Sequence, residues 1–393
     1  MKSASMRTCK IPRTDLEVSR IAYGCGALAS IGRPKPPTAE DGAEAIAKFK
    51  AAHSTETIEK WKREPLSADV IDKAARMVHA AHDHGITLFD HADIYGFGKA
   101  EEAFGEVLRR SPGLRDRIVI QTKCGICFAR ERYKPLPGDP HRLDLSREHI
   151  VRSAEGSLKR LGTDHIDILL LHRPDALVEP AEVAQAFDEL HASGKVRYFG
   201  VSNHTPMQIE LLQKYLDQPL VVNQVQVSLA FPHLIAEGLD ANRDDSVRLT
   251  RGYSGADGTL DYCRVHDIQI QAYAPLRGGN RVLPPHLLNP PVEAPPSVKR
   301  AAKVLADMAE KKATTRAALA LAWLLRHPAR IVPIIGASHP EHVIEDCAAD
   351  RVTLSPEEWY ELFVAVLGVP GLFLFGVVLP KTYTATGDEA KEA

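Results

Sequence analysis

Asp90, Tyr95, Lys123 and His172 are residue types that together suit proton transfer to or from a carbonyl oxygen. A tyrosine, with an ordinary pKa of ~10, exchanges a proton near neutrality only where a positive charge stabilises its phenolate. Lys123 is expected to supply that charge and lower the pKa of Tyr95. Asp90 is expected to hold the lysine in a buried ion pair, which offsets part of the cost of burying the ammonium. His172 can donate a hydrogen bond that fixes the direction of the carbonyl. Protein side chains carry no hydride, so reduction of the carbon requires a nicotinamide bound beside the tyrosine. Taken singly, each residue is more often structural than chemical, and it is their joint placement that carries the reading.

Placement follows from the strand pattern. The runs Ile86 to Asp90, Ile118 to Lys123 and Ile166 to His172 are apolar, rich in β-formers, and each stops at one of the polar residues. Three successive buried strands would deliver their last residues to one rim of a parallel sheet, where a parallel β/α barrel keeps its chemistry. Further strand candidates are Ile21 to Gly24, Tyr198 to Ser202, Val221 to Gln226, Ile268 to Ala274 and Ile331 to Gly336, with a short hairpin ahead of the first and amphipathic helical stretches between them. Helix starts are marked by Ser146, by Thr205 with Gln208, and by Ser355 with Pro356 and Glu358. No Gly-x-Gly-x-x-Gly turn follows the first strand; Gly24-Cys25-Gly26 lacks the third glycine. The expected class is α/β, a (β/α)8 TIM barrel spanning 21–368, with an N-terminal segment and hairpin over 1–20 and a tail over 369–393. Long stretches from Arg33 to Leu66, Gly125 to Leu145, Ala230 to Arg251 and Gly278 to Pro296 follow strands, so they are expected to rise from the catalytic face as lids or binding loops.

Composition narrows the partner. With a formal net charge of −2 in 393 residues, the chain has no electrostatic footprint for nucleic acid or an anionic membrane, which points to a small molecule. The N-terminus lacks an apolar stretch before a cleavage site, so a cytoplasmic location is expected. The apolar tail from Val364 to Leu379 is broken by Pro370 and glycines and falls short of the ~20 residues of a spanning helix; it is expected to pack on the body or in a subunit contact. Six cysteines are too sparse for a disulfide framework. Cys124-Gly125-Ile126-Cys127 has the spacing of a redox pair or half a metal site, but a long loop rather than a helix follows it and His141 alone does not complete a zinc shell. No metal is expected. His79, His82 and His84 read as solvated, and Arg130, Arg132, Tyr133 and Lys134 hint at an anionic substrate or form a solvated loop.

The ordered set of motifs resembles the aldo-keto reductase superfamily. Phe89-Asp90-His91-Ala92-Asp93-Ile94-Tyr95-Gly96 is similar to its second-strand signature, and Thr122-Lys123-Cys124-Gly125 and Leu170-Leu171-His172-Arg173-Pro174 resemble its lysine and histidine signatures. Asp90-His91-Ala92-Asp93 and Lys123-Cys124-Gly125-Ile126 most resemble bacterial reductases of the YdhF type. The resemblance runs from about Ile21 to Gly368 and implies NADP(H) or NAD(H) as cofactor and a small aldehyde, ketone or sugar as substrate. It assigns Ser202, Asn203 and Gln224 to the nicotinamide carboxamide, Tyr273 to the nicotinamide ring, Ala274, Pro275, Leu276 and Gly278 to the pyrophosphate side, and Gly336, Ala337, Ser338, His342 and Asp346 to the adenosine end. His339-Pro340-Glu341-His342 lacks the Lys or Arg that an adenosine phosphate would favour, and Asp346 stands where an adenine-binding Asn is common. The stretch from Arg33 to Leu66 has no counterpart in the family pattern. The family also includes potassium-channel β subunits, so a nicotinamide-binding regulatory subunit with little turnover is the alternative, and a dithiol redox protein built on Cys124 and Cys127 is a second.

Overall fold

The computed structural model describes residues 6–30, 63–127, 142–239, 257–276 and 287–367. Gly278, His141, Arg130, Arg132, Tyr133, Lys134, the tail beyond Leu367 and most of the four long stretches lie outside them.

An antiparallel hairpin of β1 (Thr8–Lys10) and β2 (Glu17–Ser19) leads into β3 (Ala22–Gly24). Then follow α1 (Ala68–Asp83), β4 (Leu88–Asp90), α2 (Lys99–Arg110), β5 (Val119–Cys124), a small ribbon of β6 (Ile126–Cys127) and β7 (Arg142–Leu143), α3 (Arg147–Leu161) and β8 (Ile166–Leu171). The chain continues through α4 (Pro180–Ala192), β9 (Val196–Ser202), α5 (Pro206–Gln213), β10 (Leu220–Gln226), the short α6 (His233–Ala236), α7 (Thr259–Val265) and β11 (Gln269–Tyr273). It ends with α8 (Pro296–Lys311), α9 (Arg316–Leu325), β12 (Val332–Ile335), α10 (Pro340–Cys347) and α11 (Pro356–Leu367). Strands β3, β4, β5, β8, β9, β10, β11 and β12 close into a parallel barrel, the last seam joining Ile334 to Ala22 and Ile335 to Tyr23. All eight expected strands are present, their ends displaced by one or two residues, and the β6–β7 ribbon is an addition.

Alternation along each strand sorts the side chains. Leu88, Ile168, Leu170, Val222, Val332 and Ile334 fill the lumen, where Ile11, Leu16 and Val18 of the hairpin meet them and plug the N-terminal mouth. Arg7 and Arg20 tie the hairpin down by reaching Asp350 at 3.1 and 3.3 Å. The opposite faces pack on the helices, as Phe89 does against Phe104 with ring centroids 5.2 Å apart.

The caps that marked the helix starts are formed. Ser146 Oγ accepts from His149 N, Thr205 and Gln208 make a reciprocal capping box, and Ser355 and Glu358 make another, with N···O distances of 2.8 and 3.3 Å. α3 stops at Gly162, whose φ of +64° is the left-handed conformation of a C-cap. Between α9 and α11, Trp323 and Trp359 stack 4.8 Å apart, and each indole N–H donates to the other's carbonyl. No helix among the described residues is long and apolar enough to cross a membrane.

Gly200 in β9 lets the neighbouring strands close in just below Ser202. A Cβ there would stand 2.7 Å from both Leu170 Cδ2 and Val222 O. Gly200→Ala is therefore expected to cost about 1–3 kcal/mol of stability, read as a lowered urea midpoint; an unchanged midpoint would show that the seam has slack.

Candidate active site at the C-terminal rim

Three strands and one loop bring the expected residues together. Asp90 ends β4, Lys123 lies one residue from the end of β5, and His172 directly follows β8. Tyr95 sits on the connection between β4 and α2, where His91 N donates to Gln121 O (2.7 Å) and Asp93 N to Lys123 O (3.1 Å), so the loop leaves the sheet in register with β5. Lys123 Nζ is 2.6 Å from Asp90 Oδ2, 2.7 Å from His91 O and 3.4 Å from Tyr95 Oη. The Tyr95 and His172 rings meet edge-on, 6.1 Å between centroids.

Burial sets the protonation states. It drives His172 well below its ordinary range, with Lys123 and Arg173 adding to the effect, so the imidazole is neutral at pH 7. Burial opposes the Lys123 ammonium, but Asp90 and Tyr95 outweigh it and the lysine pKa is raised. At Tyr95 the expected pull of Lys123 is present but outweighed. Lys123 does pull its pKa down, but burial and the nearby Asp90 push harder, and the phenol ends above 10.

Three buried glutamines lie beneath the tetrad. Gln121 Nε2 donates to Asp90 Oδ1 (2.6 Å) and to Gln271 Oε1 (2.7 Å), and Gln271 Nε2 returns a bond to Gln121 Oε1 (3.0 Å). Gln224 Nε2 donates to Asp90 Oδ1 at 3.0 Å and Gln271 Oε1 at 3.2 Å. Gln224, which the family resemblance assigns to the carboxamide, thus has its side-chain nitrogen engaged inside the barrel. Sequence reasoning passed over Gln121 and Gln271; the available signal was glutamine at inward positions of fully buried strands.

A second network braces the Tyr95 loop from outside the barrel. Glu101 of α2, fully buried, accepts from Thr122 Oγ1 and Arg160 Nε at 2.7 Å each. Beside it, burial and Glu101 push Asp93 up to about 7, and its Oδ1 has no hydrogen-bond partner.

The proposed cofactor residues line the same rim. Ser202 Oγ donates to Gln224 O (2.8 Å), Asn203 Nδ2 to Ser202 Oγ (2.8 Å), and Tyr273 Oη to Asn203 Oδ1 (2.9 Å). Asn203 and Ala274 hold positive φ, +62° and +51°, which turns the chain sharply after β9 and β11. Pro275 is buried and Leu276 half-buried. After β12, Gly336 has open space where a side chain would be, Ala337 O accepts from Tyr23 Oη at 3.0 Å, and Ser338 Oγ lies 3.2 Å from His339 Nδ1. His339 and His342 are exposed, whereas Asp346 is buried and pushed up to about 7 by burial and Glu345.

Burial raises both thiols of the Cys-x-x-Cys stretch, the reverse of what a redox pair needs. Cys127 gathers with Asp144 and His149, their donor atoms within 4.8 Å of one another. Arg142 bonds Asp144 at 3.0 Å and Arg152 lies 3.2 Å from His149 Nδ1, two fixed charges that oppose a cation.

The chain is similar to known proteins in sequence and in fold. The sequence model of the Aldo/keto reductase family matches residues 70–363. The chain is 38% identical to the oxidoreductase YdhF of Escherichia coli (strain K12) over 286 residues, covering 73% of this chain and 85% of YdhF. It is 35% identical to a 6-dehydroglucose reductase of Agrobacterium fabrum over 291 residues, covering 74% and 86%. In three dimensions it is similar to an aldo-keto reductase from Klebsiella pneumoniae in complex with NADPH, with a TM-score of 0.56, 28% identity and coverage of 75% and 85%.

Lys123→Met leaves the Asp90 carboxylate buried without its cation and is expected to cost about 3–5 kcal/mol, and the double replacement with Asp90→Leu is expected to cost less than the sum of the two single replacements; additive losses in urea titration would mean that the pair is not coupled. Because the Asp93 pKa is raised on folding, its stabilising contribution is full below about pH 4 and lost as pH rises through about 7. Asp93→Asn should therefore gain on the parent as pH rises across that window, and parallel stability curves would contradict this.

Proposed function

Because the chain belongs to the aldo/keto reductase family, we propose that it is a nicotinamide-dependent cytoplasmic enzyme that interconverts a small aldehyde, ketone or sugar carbonyl with its alcohol. The observation that carries this reading is the Lys123 ammonium lodged between Asp90 Oδ2 and Tyr95 Oη at the rim of a closed barrel. In reduction Tyr95 Oη gives its proton to the carbonyl oxygen; in oxidation the phenolate takes it back. Lys123 stabilises the phenolate, Asp90 keeps Lys123 charged and aimed, and neutral His172 directs the carbonyl oxygen by a hydrogen bond. Burial and Asp90 raise the pKa of Tyr95 against the pull of Lys123, so the proton that Tyr95 gives in one direction is the one it takes back in the other.

A bound nicotinamide would supply or accept the hydride. The rim suits such a group: Ser202, Asn203 and Tyr273 present amide and hydroxyl atoms already aligned by mutual hydrogen bonds. Those residues and the Gln224 carbonyl side would hold the carboxamide end, Ala274 to Leu276 with Gly278 the pyrophosphate, and Gly336, Ala337, Ser338, His342 and Asp346 the adenosine end. Similarity to a reductase in complex with NADPH favours NADP(H). The exposed His339 and His342, without a permanent cation beside them in sequence, keep NAD(H) as the alternative. Likeness to a 6-dehydroglucose reductase supports a sugar-derived carbonyl as the substrate class.

Titration with NADPH and with NADH, followed by protein fluorescence, is expected to saturate for at least one of them in both the parent and Tyr95→Phe, whereas Tyr95→Phe should lower turnover by roughly 10²–10⁴-fold. Full activity in that variant would overturn the role of Tyr95, and binding of neither nucleotide by folded protein would overturn the function.

A further inference from the structure

The glutamines beneath Asp90 cross the barrel. In the eight-strand ring β5 faces β11 and β4 faces β10, so the bonds from Gln121 to Gln271 and from Gln224 to Asp90 both run between opposite strands. All four residues are 2% exposed or less. Such a layer in place of aliphatic filling is stable only if its polar atoms are satisfied. Here Gln271 Oε1 accepts from Gln121 and Gln224, and its Nε2 donates to Gln121 Oε1 and Gln269 Oε1 (3.3 Å).

One group sets the orientation of every amide. An ionised carboxylate only accepts, so Gln121 and Gln224 must both turn Nε2 toward Asp90 Oδ1. Gln271 must then offer Oε1 to those same nitrogens and give Nε2 to Gln121 Oε1. Flipping Gln121 would set its oxygen against the carboxylate and its nitrogen against Gln271 Nε2. The layer is therefore locked around a charged Asp90 whose other oxygen is left for Lys123.

We propose that Gln121 and Gln271 are positioning residues for the proton-transfer site, Gln121 by gripping Asp90 Oδ1 and Gln271 by fixing the Gln121 amide, so that Asp90 Oδ2 stays directed at the Lys123 ammonium. The inference rests on the reading of Asp90, Lys123 and Tyr95 as the reacting set. Because the amides are neutral, they hold the carboxylate without competing with Lys123 for it, as a second cation would. The ionisable groups that face Lys123 are Asp90 and Tyr95 at contact distance, with His91, His172 and Cys25 around them.

The test uses Gln121→Met and Gln271→Met in the full chain, close in size to the parent residue but without amides, and Val332→Ala, beside Gln271 on the neighbouring strand, as a lumen variant that removes apolar volume but no hydrogen bond of the layer. Two readouts separate positioning from packing. The first is the pH profile of kcat with KM for the nicotinamide nucleotide. The second is the NMR titration of 13C-labelled lysine, which reads Lys123 whether or not a substrate turns over. Both glutamine variants should lower kcat by at least about tenfold with KM within about twofold, and move the Lys123 titration down by about one pH unit; Val332→Ala should leave the titration in place. A Lys123 titration unchanged in the glutamine variants, or shifted equally in Val332→Ala, overturns the proposal. If the parent turns over no carbonyl but the lysine shift is seen, the functional reading fails and the positioning role stands.

Discussion

An ammonium and a carboxylate buried together constrain everything around them. Lys123 is fully enclosed and Asp90 nearly so, and neither charge would be tolerated in an aliphatic lumen without its partner and a complete set of hydrogen bonds. The pair therefore dictates the residues above and below it. Above, the His91 carbonyl and the Tyr95 hydroxyl take up the remaining donors of the ammonium. Below, amides take up the remaining oxygen of the carboxylate. The barrel supports this because consecutive strands present their inward positions at one level, so residues from β4, β5, β10 and β11 meet across the lumen.

Burial also sets the charge of the neighbouring side chains. The water exclusion that strengthens the Lys123–Asp90 attraction disfavours the Tyr95 phenolate and the His172 imidazolium. The site thus combines a phenol with an uncharged imidazole, their rings 6.1 Å apart. Outside the lumen, the buried Glu101 accepts from Thr122 and Arg160 and so ties α2, which follows the Tyr95 loop, to β5 and α3.

The barrel was legible because each central strand is buried on both faces and reads as a short apolar run between turn residues. The tetrad was legible because three of its members interrupt or follow such runs. The ends of the strands were less so: Ile86 and Thr87 look like strand, but pairing within β4 begins only at Leu88. The glutamine layer was not legible, since Gln121 and Gln271 are 150 residues apart and become partners only when the ring closes with β5 opposite β11. Nor could spacing show that Tyr95 would be acidified by Lys123 less than burial opposes it, because that balance depends on depth. The involvement of Gln224 with Asp90 was hidden for the same reason as the layer, and its Nε2 contacts became visible only across the lumen.

The seam between β12 and β3 has a consequence for how the molecule is made. Tyr23 and Ala337, bonded across it, are 314 residues apart, and Arg7 finds Asp350 343 residues away. A chain emerging from the ribosome therefore carries β3 with one bare edge and a hairpin with nothing to seal until nearly the whole sequence has been synthesised. Contacts of such long range slow folding and leave strand edges open to mispairing. The last strand and the helix turn around Asp350 act as the closing step, so a chain cut short before Val332 would keep most of its strands yet remain an open sheet with two unpaired edges.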